Sequence, residues 1–74
     1  MSAPALLYTR AGCPYCLRVR ESLAAESTPF QEIDVSRHPE KIPELLKLTG
    51  GRRVVPVLVR DGRIEVAPHG ATTF

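Results

Sequence analysis

Two cysteines, Cys13 and Cys16, are the residues of this sequence whose type and spacing point most directly to chemistry. Thiols separated by two residues can form a disulfide and release it again, and a thiolate is the species that attacks another disulfide. A disulfide across so small a loop would constrain little of the unfolded chain, so it would stabilise the fold only slightly. We therefore interpret the pair as a redox-active dithiol and not as a structural crosslink.

The position of the pair, between a strand pattern and a helix pattern, favours a reactive thiolate. Residues 5–8 form an apolar run of strand length, Gly12 permits a tight turn, and Pro14 suits the first turn of a helix. This arrangement predicts Cys13 at or beside the helix N-cap. There, free backbone N–H groups and the helix dipole lower a cysteine pKa below its ordinary value of about 8.5.

The two cysteines are not predicted to be equivalent. Cys16, Val19 and Leu23 recur at offsets of three and four, which places the second thiol on the core-facing side of the helix. Cys13 is therefore expected to be exposed and to attack the substrate. The shielded Cys16 is expected to resolve the mixed disulfide that Cys13 forms.

Length and composition predict one small domain over the whole of residues 1–74. No apolar run approaches the roughly 20 residues of a membrane span, and the first residues lack the basic lead of a signal peptide. The net charge of +2 and the lone doublet Arg52 and Arg53 do not indicate nucleic-acid binding. We expect a monomeric, cytoplasmic protein that binds neither nucleic acid nor a membrane.

The remaining pattern predicts a strand, a helix, a strand, a helix and a hairpin. The first helix is predicted over residues 14–26 and the second strand over residues 30–35. The second strand is predicted to be parallel to the first. The second helix is predicted from residue 42 or 43 to residue 48 and is ended by Gly50 and Gly51.

A hairpin is predicted where residues 54–59 and 64–66 flank Asp61 and Gly62, because Asp-Gly is a strong signal for a two-residue turn. Its strands are therefore predicted to be antiparallel. Pro56 is predicted to open the first of them, since a sheet tolerates proline at the beginning of a strand.

Three segments resemble the glutaredoxin family, in its short dithiol form: Tyr8-Thr9-Arg10, Cys13-Pro14-Tyr15-Cys16 and residues 51–56. The Cys-Pro-Tyr-Cys tetrapeptide is the most specific of them, and the resemblance covers nearly the whole chain. It implies an α/β, thioredoxin-like fold with a mixed four-stranded sheet in the order β-α-β-α-β-β. It also implies a thiol–disulfide oxidoreductase that uses glutathione as co-substrate and needs no metal or other cofactor.

The resemblance further implies a set of glutathione contacts: Arg10, Tyr15, Arg52, Val55, Pro56, Gly70 and Thr72. In the family, the proline matching Pro56 follows a cis peptide bond, and the backbone of the residue matching Val55 pairs with the cysteinyl part of glutathione. Arg10, with Arg52 or Arg53, would hold a glutathione carboxylate, because a guanidinium offers a fork of donors and stays charged.

The last residues depart from the family pattern. Most glutaredoxins follow the hairpin with Gly-Gly and an acidic residue, where this chain has Gly70 and, in place of the acid, Thr72. The family's last helix is expected to be shortened or missing, since only Phe74 follows Thr73. Phe74 itself, a longer chain or a partner subunit would then cover the exposed face.

Other uses of the thiols stay open. A zinc site would need His38 and His69, which lie much farther apart than the three to five residues typical of paired ligands. An iron–sulfur carrier would bind a cluster between two chains through Cys13 and glutathione. The expected partners are glutathione, disulfide-bearing or glutathionylated proteins, and either the glutathione or the thioredoxin reductase system.

Overall fold

The computed structural model describes residues 4–74, so the first three residues, included above in the predicted domain and in the argument against a signal peptide, lie outside it. The elements follow in the order β1 (Ala5–Thr9), α1 (Pro14–Ala25), β2 (Phe30–Asp34), a short 3-10 helix (Pro39–Lys41), α2 (Ile42–Thr49), β3 (Val54–Val55), β4 (Val57–Arg60), β5 (Arg63–Val66) and β6 (Thr72–Thr73).

Four strands form one mixed sheet in the order β2-β1-β4-β5. β1 is parallel to β2 and antiparallel to β4, and β4 is antiparallel to β5. Asp61 and Gly62 both have positive φ, at 49° and 74°, as the two central residues of a tight hairpin turn require. The predicted sheet, with its parallel first pair and its final hairpin, is confirmed.

Side chains along β1 alternate between the two faces of the sheet, and both faces are buried at this strand. Leu7 packs with Val19 and Leu23 of α1, whereas Tyr8, on the other face, packs in a cluster that includes Leu45 of α2. The two cysteines belong to this second cluster. The cysteine pair is therefore part of the core.

The helices agree with the predicted pattern to within a residue or two. α1 ends at Ala25, one residue before the predicted limit, and α2 extends to Thr49 before Gly50 closes it in a left-handed conformation with φ 70°. Pro39 begins the 3-10 helix, and Pro43 lies in the first turn of α2, where its missing N–H is not needed. Neither α1 nor α2, the helices of the described range 4–74, is long and apolar enough to cross a membrane.

The prediction for residues 54–59 is wrong, because these residues form two short strands and not one. Val54–Val55 pairs with β6, while Val57–Arg60 lies in the main sheet, and Pro56 separates the two after a cis peptide bond. Proline has no N–H to donate to a ladder, which makes it a natural place for the chain to change partners. Pro56 directly precedes β4, the third strand of the main sheet along the chain, so its predicted place at the opening of that strand is confirmed, but it also follows β3.

The residues after the hairpin form a strand and not a helix within the described range. Thr72–Thr73 runs antiparallel to β3, with Val54 opposite Thr73 and Val55 opposite Thr72. This small second sheet was not predicted from the sequence. It brings the last residues of the sequence onto the strand that precedes Pro56.

Candidate active site

The beginning of α1 places the sulfur of Cys13 against the free end of the helix. Cys13 is the N-cap residue, with φ −88° and ψ 110°, and its Sγ accepts a hydrogen bond from the backbone N–H of Cys16 at 3.2 Å. Gly12, with φ 81°, forms the turn before it, and Pro14 takes the first helical position. The predicted location of Cys13 at the N-cap is confirmed.

The pKa of Cys13 is lowered from its usual value by the groups around its sulfur. Burial is the largest single influence and opposes ionisation, but the combined hydrogen bonds outweigh it. These come from the side chains of Cys16 and Thr72 and from the backbone of Cys16 and Tyr15. The first proton of the pair is therefore lost from Cys13.

The pKa of Cys16 moves the opposite way, to about 12. Burial is the main cause, since Cys16 has no exposed surface, and the interaction with the Cys13 side chain adds to it. The backbone of Arg10 and the positive charge of Arg20 act in the other direction but are smaller. The two thiols thus differ in the way that unequal roles require.

Cys13 is not exposed, contrary to expectation: only 6% of its surface is accessible. The side chains of Tyr15 and Phe74 pack against the same cluster, and the Thr72 hydroxyl interacts with the sulfur. Gly70 lies so close to Tyr15 that an added Cβ would approach the ring to 2.6 Å. Residues 70–74 therefore cover the thiol. They lie far along the chain from Cys13, so this cover depends on the tertiary fold.

The backbone of Val55 is engaged by β6. Phe74 donates its backbone N–H to the Arg53 carbonyl at 3.1 Å, which marks these two residues as a hydrogen-bonded pair. Such pairs alternate along an antiparallel ladder, so Val55 and its partner Thr72 form the next one. The N–H and C=O expected to meet a glutathione cysteinyl group are thus paired with Thr72.

Two arginines converge on the ring of Phe74. The guanidinium carbon of Arg53 lies 4.9 Å from the ring centroid and that of Arg10 lies 5.8 Å from it. The Arg53 Nε also donates to the backbone oxygen of Phe74 at 2.9 Å. Of the two candidate partners of Arg10, Arg53 is the one that lies beside the Phe74 ring. Arg52 is exposed, and its carbonyl accepts a hydrogen bond from the Thr49 hydroxyl.

A sequence model of the glutaredoxin family, described as Glutaredoxin, matches residues 5–65. The chain belongs to the glutaredoxin family. Proteins of this family are thiol–disulfide oxidoreductases, so the predicted enzyme class is confirmed.

Individual relatives agree with this assignment. The chain is 33% identical over 61 residues to a glutaredoxin of Pseudomonas aeruginosa. The matched region covers 82% of this chain and 73% of that protein. It is 40% identical over 53 residues, or 72% of its length, to the N-acetyl-S-hydroxy-L-cysteine reductase of Bacillus subtilis, and spans 56% of that protein. The chain thus spans little more than half of the second relative.

A solved glutaredoxin from Archaeoglobus fulgidus superposes with a TM-score of 0.77 at 26% identity, over 86% of this chain and 74% of that one. The thioredoxin-like fold implied by the sequence is confirmed by this superposition.

One group of charged and polar side chains near Cys16 was missed in the sequence. The Thr9 hydroxyl donates to Glu32 at 2.9 Å, and Arg20 Nε lies 3.6 Å from the same carboxylate. Arg20 also favours the thiolate of Cys16, which lies one helical turn before it. The four-residue spacing was the available signal, but the partner on β2 was not evident from it.

A cavity of about 350 Å³ lies away from the cysteines, beside Tyr8, His38 and Glu44. Burial, aided by Glu44, raises the pKa of Tyr8 to about 12, so this phenol stays neutral. In residues 4–74, no three histidine, cysteine, aspartate or glutamate side chains are grouped so as to hold a metal ion.

Proposed function

We propose that this chain is a dithiol glutaredoxin that reduces protein disulfides and glutathione mixed disulfides through Cys13 and Cys16, with glutathione as co-substrate. The observation that carries the proposal is the hydrogen bond from the Cys16 N–H to the Cys13 sulfur at the N-terminus of α1. The opposite pKa shifts of the two thiols support it, because one is ready to attack and the other is held in reserve.

In the first step the Cys13 thiolate attacks one sulfur of the substrate disulfide. A bond forms between this sulfur and Cys13, the substrate S–S bond breaks, and the other sulfur leaves as a thiolate. The helix N-terminus stabilises the attacking thiolate, and Thr72 and the backbone N–H groups fix its position.

In the second step Cys16 attacks the Cys13 sulfur and expels the substrate thiolate, leaving a Cys13–Cys16 disulfide. Interaction with the Cys13 side chain is one cause of the raised Cys16 pKa. That cause disappears once the Cys13 sulfur is bonded to substrate and carries no charge, so Cys16 ionises more readily when it is needed. For a glutathione mixed disulfide, free glutathione can perform the resolving attack in its place.

The arrangement of Arg10 and Arg53 supports a role for glutathione. Both guanidinium groups face the space that the Phe74 ring occupies, and two such cations suit a carboxylate. Tyr15 packs with Phe74 against the cluster that contains Val55, and Gly70 lies against the Tyr15 ring. Glutathione would pair with Val55 after β6 moves aside.

We also propose that the protein works as a monomer in the cytoplasm. Thiol systems there keep such a pair reduced between turnovers, and both cysteines are free in the structure. The reductant is either glutathione or a thioredoxin reductase.

The test is the rate at which the reduced protein removes glutathione from a small mixed disulfide, with glutathione and its reductase or with thioredoxin reductase as electron source. Turnover with glutathione is the expected result. Turnover with thioredoxin reductase alone would remove glutathione from the proposal and leave the dithiol mechanism. Inactivity with both, in a protein that is brown when prepared without oxygen, would instead identify an iron–sulfur carrier.

A further inference from the structure

β6 occupies the place at which a substrate would meet the reactive thiol. We propose that residues 72–74 are an internal mimic of the substrate, and that the preferred disulfide lies in an extended peptide whose cysteine replaces Thr72 and whose residue two positions later is aromatic. This inference rests on the proposed thiol–disulfide exchange and names the class of protein disulfide that the site takes.

The first observation is the position of Thr72. Its backbone forms a hydrogen-bonded pair with Val55, the residue immediately before Pro56. Its hydroxyl helps to lower the pKa of Cys13, which places it near the sulfur. Serine, threonine and cysteine carry their heteroatom at the same place, one bond beyond Cβ. A cysteine in this strand would therefore present its sulfur to Cys13.

The second observation is the pair of arginines beside the side chain two residues later. Residues two apart on a strand face the same side, so Phe74 follows Thr72 onto the face of Cys13. There the guanidinium carbons of Arg53 and Arg10 lie 4.9 Å and 5.8 Å from the centroid of its ring. A cation over a ring face attracts it, which makes this pair a selective contact for an aromatic residue.

The third observation is that β6 is short, so a longer peptide could replace it. It pairs with β3 through two residues, and Thr73, between the two inward-facing side chains, is exposed. A longer peptide can make the same backbone bonds and add contacts beyond them. Its direction is fixed by the antiparallel register, so a peptide carrying the aromatic residue before its cysteine does not fit.

The chemistry balances with the groups present. Cys13 thiolate attacks the peptide cysteine sulfur, and the second sulfur of the substrate disulfide leaves as a thiolate and takes up a proton. Cys16 then attacks Cys13 and releases the peptide thiol. The substrate gains two electrons, and the Cys13–Cys16 dithiol is oxidised to a disulfide.

A crosslinking experiment tests the position of Thr72 without any substrate. In a protein carrying Cys16→Ser and Thr72→Cys, treatment with oxidised glutathione should close an intramolecular disulfide with Cys13, seen by mass spectrometry as the loss of two hydrogens. The matched control carries Cys16→Ser and Thr73→Cys, whose new thiol points away. Closure at least about tenfold faster at position 72 is expected, and equal rates would overturn the inference.

Peptides test the aromatic preference in the unmodified protein. Three short peptides carry a cysteine in mixed disulfide with a coloured nitrothiobenzoate group: one has Phe two residues after the cysteine, one has Ala there, and one has Phe two residues before. Release of colour with the first peptide should show a kcat/KM about fivefold higher than with the other two. Arg53→Ala should remove this preference, while Arg63→Ala, an exposed arginine on β5, should keep it.

The outcomes separate the two proposals. Equal rates for all three peptides would overturn the substrate preference while the oxidoreductase assignment stands. No reaction with any peptide or with a glutathione mixed disulfide would overturn the proposed function and this inference together.

Discussion

The turn before α1 and the segment that follows the hairpin both lie beside the Cys13 sulfur, but different interactions determine their conformations. Residues 10–16 are shaped by their neighbours in sequence, through a glycine turn, an N-cap and a proline at the first helical position. Residues 70–74 are shaped by partners far along the chain, namely β3, Tyr15 and Arg53. The first region holds the Cys13 sulfur at the N-terminus of α1, and the second packs against the same site.

The largest effect should come from the first region. Cys13→Ser removes the attacking sulfur and should lower all thiol–disulfide exchange by about a thousandfold or more, measured with both a glutathione mixed disulfide and a protein disulfide. Cys16→Ser should keep removal of glutathione, since free glutathione can resolve Cys13, but lower reduction of a protein disulfide by about a hundredfold. Equal losses in the two variants would refute the unequal roles.

Gly70 offers a way to disturb the second region alone. Gly70→Ala would force the new Cβ against Tyr15, so it should cost about 2 kcal/mol of unfolding free energy and raise the alkylation rate of Cys13 severalfold by lifting the cover. Both are measured directly, by denaturant unfolding and by reaction with iodoacetamide.

Gly51→Ala is the matched control for that substitution. Gly51 also has positive φ, at 93°, but its added Cβ would meet no atom within 4 Å. Gly51→Ala should lower the free energy of unfolding by about 1 kcal/mol through backbone strain, and the alkylation rate of Cys13 should not change. An unchanged Cys13 rate in Gly70→Ala would show that residues 70–74 do not limit access.

The two neighbouring arginines give a smaller contrast. Arg53→Ala should raise the KM for a glutathione mixed disulfide about threefold to tenfold, because one of the two guanidinium groups facing the carboxylate position is lost. Arg52→Ala should change KM less, since Arg53 and Arg10 are the arginines that lie over the Phe74 ring. Steady-state kinetics at fixed glutathione would measure both, and a larger effect at Arg52 would contradict the placement.

The smallest effect is expected at Thr72, a residue of the second region whose hydroxyl acts on the thiol of the first. Thr72→Val removes a hydroxyl that helps lower the Cys13 pKa, so this pKa should rise. Because alkylation requires the thiolate, the midpoint of its pH profile should move to higher pH, with a slower rate below that midpoint. Thr73→Val, on the exposed side of β6, should leave the profile in place. A profile unchanged in both variants would remove Thr72 from the site.

Sequence reasoning located the first region because its signals are local. Gly12, Cys13 and Pro14 form a turn, a cap and a helix start within a few residues, and Asp61 and Gly62 specify the hairpin in the same way. The division of residues 54–59 at Pro56 was not foreseen, because it depends on a partner strand that lacks an apolar pattern.

The burial of Cys13 was missed for a related reason. Its neighbours in sequence predict an exposed thiol, whereas its cover comes from Thr72, Tyr15 and Phe74 together. The choice of Arg53 over Arg52 likewise follows from the register of β3 and β6, which places Arg53 opposite Phe74. A strand of two threonines carries too little pattern to predict that register.

The N-cap role of the Cys13 sulfur links the redox state of the pair to the stability of α1. In the reduced protein the Cys13 sulfur accepts the Cys16 N–H, and its thiolate form places a negative charge at the positive end of the helix. Oxidation joins that sulfur to its neighbour, and the charge is lost. Whatever free energy the charged cap contributes belongs to the reduced form only, so it makes the disulfide easier to reduce and the oxidised protein easier to unfold.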